Sequence, residues 1–326
     1  MSNPNSNLLL EMLRYMRPEG SMMQTLFCEK FLEPILGPPD SSGNYILVVG
    51  PPSPRIAFMA HHDTIHHQGG LQTLHVADGL VGLSRKSKPK QQFRVKPGSK
   101  SKSNCLGADC TTGVWLILHM IANDVPGRYV IHAGEECGAI GATALMNDPQ
   151  ALWIEDTDVA IEFDRFGMES IITHQCCRRT ASDEFANSLS KILGMGHRID
   201  TGGIFTDSEV YAEVIPECTN LSVGYIGHHS SSETQDIDYA VELANALVDA
   251  DWSQIVVARD PKVVEYEGWD DPYALRTGTG SSDRGLVYLV EDNPEGIAEL
   301  LENIGWTDVE VAEYLGFTVD KGRVVM

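Results

Sequence analysis

No stretch of this chain is both apolar and long enough to cross a bilayer, and Met1-Ser2-Asn3-Pro4-Asn5 lacks the charged and apolar regions of a secretion signal. Both absences point to a cytoplasmic protein with no membrane partner. A disulfide framework is missing too. The seven cysteines are odd in number and show no scaffold-like spacing, which fits a reducing compartment, and the lack of any CxxC pair argues against a cysteine-based zinc site. Basic charge is scarce, with 24 Lys and Arg against 46 Asp and Glu and a net charge of -22. Such a chain would be repelled by a phosphate backbone, so general nucleic-acid binding is excluded. The basic residues are concentrated: Arg85, Lys86, Lys88, Lys90, Arg94, Lys96, Lys100 and Lys102 fall within 18 positions. Without interleaved aromatics this run reads first as a solvated loop, and second as a flap that guides anionic substrates.

The 326 residues, 42% of them apolar, suffice for one large α/β core with a small appendage. Two short amphipathic helices are expected between Asn7 and Leu36, then strands at Asn44–Val49 and Ile56–Met59. Residues 68–104 read as an excursion from the main sheet, with hairpin-like pieces around Gly79 and Gly82 and then the basic loop. Helices are expected at Thr111–Ala122, Ile140–Met146, Ser182–Leu193 and, as a long closing helix, Ile237–Val257. Strands are expected at Arg128–His132, Val159–Phe163, Ser170–Thr173 and Asn220–Gly224. This alternation predicts an α/β fold with a predominantly parallel central sheet covered by helices on both faces, over residues 1–258. From residue 259 the composition turns acidic. A linker-like Gly278-Thr279-Gly280-Ser281-Ser282 and two short helices, Pro294–Ile304 and Val309–Leu315, suggest a small α-helical extension suited to protein contacts.

Reactive side chains sit where apolar runs stop. Arg55-Ile56-Ala57-Phe58-Met59 runs into Ala60-His61-His62-Asp63, and similar breaks follow at Gly107-Ala108-Asp109, Gly134-Glu135-Glu136, Glu162-Phe163-Asp164 and His228-His229. Ligands bind parallel sheets beyond the carboxyl ends of their strands. A catalytic zinc site takes His nitrogen and carboxylate oxygen and keeps a position for water, and two ions need a carboxylate between them. His61 and Asp63, two apart in extended backbone, share a side, so one can ligate while the other orients it. Asp109 stands at a strand-to-helix turn, placed to bridge. Glu135 and Glu136 are adjacent and in extended backbone point oppositely, which suits two jobs.

These residues resemble the dinuclear-zinc aminopeptidase and carboxypeptidase superfamily, whose pattern is His-x-Asp, Gly-Ala-Asp before a helix, Glu-Glu, an Asp after a strand, and a final His. Five motifs in family order, across residues 7–257, carry the resemblance. It implies a zinc exopeptidase-like αβα sandwich and two Zn2+ ions, with Co2+ or Mn2+ as possible replacements. His61 and Asp164 would hold one ion, Glu136 and His229 the other, and Asp109 would bridge. Glu135 would be general base and then proton donor to a metal-bridging hydroxide attacking an amide, with Asp63 orienting His61. Two departures stand out. Cys110 occupies a position where many members carry a second Asp, and Thr111 or Thr112 could cap the helix there instead. Only 64 residues separate Asp164 from His229, too few for the inserted dimerisation lid of some members, so the resemblance is to the compact aminopeptidase branch.

Other polar residues remain open. His228 and Tyr225 are candidate donors to an oxyanion, Glu162 is an alternative to Asp164, and His66 and His67 are expected at the rim. Asp207 or Glu209 could hold a free substrate amine. The expected function is therefore an exopeptidase, first an aminopeptidase acting on short peptides. Second stands a related amidohydrolase, deacylase or carboxypeptidase, with an acyl-amide substrate in the first two cases. A non-catalytic metal-binding interaction protein is the third reading, and Glu135 beside Glu136 speaks against it, because binding alone needs no base.

Overall fold

The computed structural model describes residues 4–51, 55–84, 103–263, 318–320 and 323–325. The basic run Arg85–Lys102 and the two helices expected between Pro294 and Leu315 lie outside the described residues. The chain divides into two units, Met1–Gly268 and Trp269–Met326. Of the second, the described part is an antiparallel pairing of Thr318–Asp320 with Arg323–Val325.

In the first unit, helix α1 (Ser6–Met12) starts at Asn5, whose side chain accepts the Leu8 N–H. Ser21 caps the helical segment Met22–Leu36 in the same way through Gln24. Then follow β1 (Tyr45–Val49), β2 (Ile56–His61), β3 (Leu74–Ala77), β4 (Leu80–Leu83), α2 (Ala108–Ala122), β5 (Gly127–His132), α3 (Ile140–Met146) and β6 (Val159–Arg165). Beyond these come β7 (Ser170–Ile172), α4 (Asp183–Leu193), β8 (Arg198–Asp200), α5 (Asp207–Val210), β9 (Glu217–Ser222), β10 (Tyr225–Ile226), β11 (Thr234–Asp236) and α6 (Ile237–Asp249). The seven-stranded sheet has the order β8-β7-β9-β6-β2-β5-β1. Its pairs are parallel except β7 with β9 and β5 with β1. This is the α/β fold with a largely parallel central sheet that the alternation predicts.

Side chains alternate between two cores, as the two-residue period of a strand requires. Phe58, Ala60, Tyr129, Ile131, Ile161 and Phe163 enter the larger core with α1, α2, α4 and α6. Ala57, Met59, Val130 and Ala160 enter a smaller core with Ala142 and Leu145 of α3 and with Tyr211. Continued at the same two-residue period, the second set places His61, His132, Glu162 and then Asp164 on the same face as α3 and α5.

The excursion forms the expected hairpin, β3 and β4 meeting at the Asp78-Gly79 turn. It belongs to a separate antiparallel sheet of order β10-β11-β4-β3. β10 and β11 are the two legs of the loop that carries His229, so the excursion buttresses that loop through β4. The closing helix is shorter than expected, ending at Asp249 and not at Val257. Trp252 turns back there: its ring packs edge-on against Phe58 at 4.8 Å, and its indole N–H donates to Leu247 O at the helix end. Among the described residues no helix is long and apolar enough to cross a membrane.

Candidate metal centre

β2 ends at His61, and Asp63 follows at once with no exposed surface. His61 Nδ1 lies 3.3 Å from Asp63 Oδ1. Both oxygens of Asp63 also accept backbone N–H groups, from Glu135 and from Glu136 at 3.2 Å each. One buried carboxylate therefore locks the end of β2 to the turn after β5. That turn differs from the extended backbone expected of it. Gly134 and Gly138 take left-handed conformations and Glu135–Cys137 form a single 3-10 turn between them. The two carboxylates still part: Glu136 Oε2 approaches His229 Nε2 at 3.3 Å, whereas Glu135 Oε2 lies 3.9 Å from His61 Nε2.

Asp109 faces both histidines. Its Oδ1 is 3.1 Å from His61 Nε2 and its Oδ2 is 3.3 Å from His229 Nε2. Asp164 Oδ1 completes the first half at 3.5 Å from His61 Nε2. The ligand atoms of His61, Asp109 and Glu136 all lie within 4.8 Å of one another, as do those of His61, Cys110 and Asp164. These are two clusters of metal-ligand type that overlap at His61.

The electrostatics show a deficit of positive charge. Burial, aggravated by neighbouring carboxylates, pushes Glu135, Glu136 and Asp164 above the usual carboxylate range. Burial opposes the charge on Asp109 as well, but hydrogen bonding with His229 and His61 outweighs it and holds this carboxyl well below that range. His229 is the converse: burial disfavours its charge, yet Asp109 and Glu136 lift it to about 12. Glu136 Oε1 is buried with no hydrogen-bond partner. Carboxylates crowded around two imidazoles, one oxygen orphaned, are a donor set that cations fit.

Glu233 and Arg17, which no sequence motif singles out, hold this set in place together with Gly107 and Thr111. Glu233 accepts the N–H groups of Leu106, Gly107 and Ala108 at 2.8–2.9 Å and that of Asp109 at 3.4 Å, pinning the loop that presents Asp109. Gly107 is left-handed in that loop, and a Cβ there would meet His66 Cε1 at 2.7 Å. The Asp109–Cys110 peptide bond is cis. The Thr111 hydroxyl donates to Gly107 O. Arg17, fully buried, donates to His62 O and to the Thr111 hydroxyl at 2.7 Å each, with Phe27 under its guanidinium. Glu233 lies four residues after His229, which was the only hint of its place. Nothing local marks Arg17.

Cys110 donates its thiol hydrogen to Phe163 O at 3.1 Å, and burial pushes that thiol up, so it stands as a neutral donor. Tyr225 donates to Asp164 O at 2.9 Å, with Asp164 Oδ1 at 3.4 Å, and so also steadies that carboxylate. His228 is half-buried and stacks on Phe166 at 5.2 Å, next to His229. Glu209 is bound by Arg178 at 2.7 Å. Asp207 has no exposed surface and sits 3.2 Å from His132 Nδ1. Glu162 joins this second group with His132 and Asp207. His66 is buried and bonds Thr64, Gln72 and Cys105 O, so it belongs to the core and not to a rim.

No family model matches the sequence, and no curated protein does. Solved structures do match in fold. A tripeptidase from Staphylococcus aureus superposes with a TM-score of 0.57 at 15% identity, over 76% of this chain and 98% of that one. Aminopeptidase PepT from Bacillus cereus gives 0.56 at 15% identity, over 75% and 98%. The TET1 peptidase of Pyrococcus horikoshii gives 0.51 at 18% identity, over 75% and 99%. The chain has an aminopeptidase-like fold. Those proteins are spanned almost whole by three quarters of this chain.

Proposed function

We propose that the protein is a zinc-dependent exopeptidase, an aminopeptidase that acts on short peptides. The observation that carries the reading is the double face of Asp109, one oxygen toward His61 and the other toward His229. The fold neighbours, named as aminopeptidase, tripeptidase and peptidase, support the choice of an amide substrate with a free amine.

In this reading His61 and Asp164 would hold one zinc ion and Glu136 and His229 the other, with Asp109 facing both histidines. When bound, the pair would polarise the scissile carbonyl and activate a water. Asp63 keeps the imidazole of His61 turned toward the site and also fixes the backbone of Glu135 and Glu136. Glu135, whose Oε2 lies 3.9 Å from His61 Nε2, takes the proton from the water and returns it to the leaving amine. His228 beside His229 contacts the developing oxyanion. Tyr225, already donating to Asp164, acts on the ligand.

The test is Glu135→Gln. Zinc content should be unchanged while hydrolysis of di- and tripeptides falls about 10²–10⁴-fold. Substrates with a blocked α-amine should be poor in the wild type. Efficient cleavage of N-acyl substrates instead would move the reading to a deacylase, and full activity in Glu135→Gln would remove Glu135 from the mechanism.

A further inference from the structure

Behind the metal centre lies a second convergence of ligand-type side chains to which the reaction gives no task. His132 ends β5, Glu162 lies on β6 two residues before Asp164, and Asp207 begins α5. None of the three has any exposed surface. One ligand atom from each lies within 4.8 Å of the other two. From His132, Glu162 and Asp207 we infer a third cation site, closed to solvent, that takes a divalent transition metal such as zinc.

The polar groups demand a partner that they do not find among the described residues. Both oxygens of Glu162, both oxygens of Asp207 and Nδ1 of His132 lack a hydrogen-bond partner. The Ser208 amide favours the charge on Glu162, but it does not reach either oxygen in hydrogen-bond geometry. A buried carboxylate without a donor costs several kcal/mol unless it is neutralised or meets a cation. His132 Nδ1 is 3.2 Å from Asp207 Oδ2, yet the direction is not that of a hydrogen bond. Two atoms at that spacing, buried and not hydrogen-bonded to each other, are spaced as ligands to a common third atom. Donors around a tetrahedral zinc with bonds of about 2.0–2.1 Å stand about 3.3 Å apart.

The far side of the imidazole agrees. His132 Nε2 is 2.9 Å from the Tyr211 hydroxyl, also fully buried. A ligating histidine is oriented by such a bond at its other nitrogen, which leaves the lone pair on Nδ1 free for the metal. A proton shared between Glu162 and Asp207 would satisfy one oxygen of each and leave Nδ1 without a partner, whereas a cation uses all three residues. One imidazole and two carboxylates suit zinc, manganese or iron. The consequence is mechanical. α5 spans only Asp207–Val210, too short to be stable on its own, and the ion would fasten it to the ends of β5 and β6.

The full-length protein should be loaded with zinc, dialysed, and its metal counted by mass spectrometry, with anomalous diffraction at the zinc edge to place the ions. We expect three ions per chain, the third between His132, Glu162 and Asp207. Glu162→Gln, close in shape, should lower the count to two and leave both peaks at Asp109. A wild-type map with peaks at Asp109 and none between these three residues overturns the inference, as does a Glu162→Gln protein that keeps the third ion. If the variant fails to fold, the wild-type map decides. The dinuclear reading is judged separately by the peaks at Asp109, so either site can fail alone.

Discussion

The two ends of the central sheet treat buried carboxylates in opposite ways. At the amino end, Glu217 opens β9 and gathers four donors: the amide and hydroxyl of Ser182 at 2.6 and 2.8 Å, and the amides of Ala258 and Arg259 at 2.7 and 2.9 Å. At the carboxyl end, Glu162 is equally buried and has none, while Glu135, Glu136 and Asp164 crowd together with raised proton affinities. Where the fold needs an anion as a structural knot, it supplies amides. Where it leaves anions without donors, it has left room for cations. Asp63, with two amides, and Glu233, with four, refine the contrast, because both lie at the carboxyl end, although burial still lifts Glu233 to about 7. They support the site without belonging to the ligands.

Truncating each knot sharpens the comparison most. Each buried donor that loses its acceptor costs about 1–3 kcal/mol. Glu233→Ala orphans donors on Leu106, Gly107, Ala108 and Asp109, all buried. Glu217→Ala orphans the buried Ser182 amide, but Ala258 is exposed and can turn to water. Urea unfolding should therefore show a loss of about 4 kcal/mol or more for Glu233→Ala and about 2 kcal/mol for Glu217→Ala. Zinc affinity separates them further. It should fall in the first, where the Asp109 loop is freed, and stay in the second. Equal zinc affinities would mean that Glu233 is a knot like Glu217 and positions nothing.

What could be read from the sequence follows the same division. The strand ends were legible because an apolar run such as Ile56–Met59 or Val159–Phe163 stops at a ligand-type residue, and alternation decides the face each such residue takes. The folding of Glu135-Glu136 into a tight turn was legible only in principle, from the flanking Gly134 and Gly138. The supports were not legible. Glu233 acts on amides more than 120 residues away in the chain, and Arg17 reaches Thr111 across 94 positions. The inner group was hidden for another reason. Asp207 stands in a four-residue helix inside a long irregular stretch, and its meeting with His132 and Glu162 depends on how that stretch crosses the sheet. Helix α6 was overextended because helical periodicity continues past Asp249, while the packing of Trp252 on Phe58 is a tertiary fact.

Acid offers a test of intermediate size, since it attacks groups satisfied in their neutral form. Burial lowers His66 to about 4, with Arg17 adding to it, and burial lowers His197 to about 4. Both imidazoles are bonded while uncharged, His66 to Thr64 and Gln72 and His197 to the Tyr239 hydroxyl. Unfolded chains take up these protons near pH 6.5, whereas the native protein resists until about pH 4. Stability due to them is thus whole above pH 6.5 and is lost as pH falls toward 4, at about 1.4 kcal/mol per pH unit for each group. Urea midpoints between pH 7 and 4.5 measure the slope. His197→Phe should remove one group's share of it, and an unchanged slope would show that His197 is not kept neutral by the fold.

The smallest effect is expected at the surface, where neither rule of burial applies. Lys30 pairs with Glu11 across the N-terminal helices, with its ammonium 4.9 Å from the Phe31 ring centre. The two side chains are 44% and 48% exposed, so water screens the pair and each partner keeps its solvation when the other is removed. Lys30→Met preserves the apolar stem over Phe31 and should change unfolding free energy by less than about 1 kcal/mol, with zinc binding untouched. A loss of several kcal/mol in this variant would mean that charge is costly or valuable here irrespective of burial. The contrast between the two ends of the sheet would then owe nothing to the supply of donors.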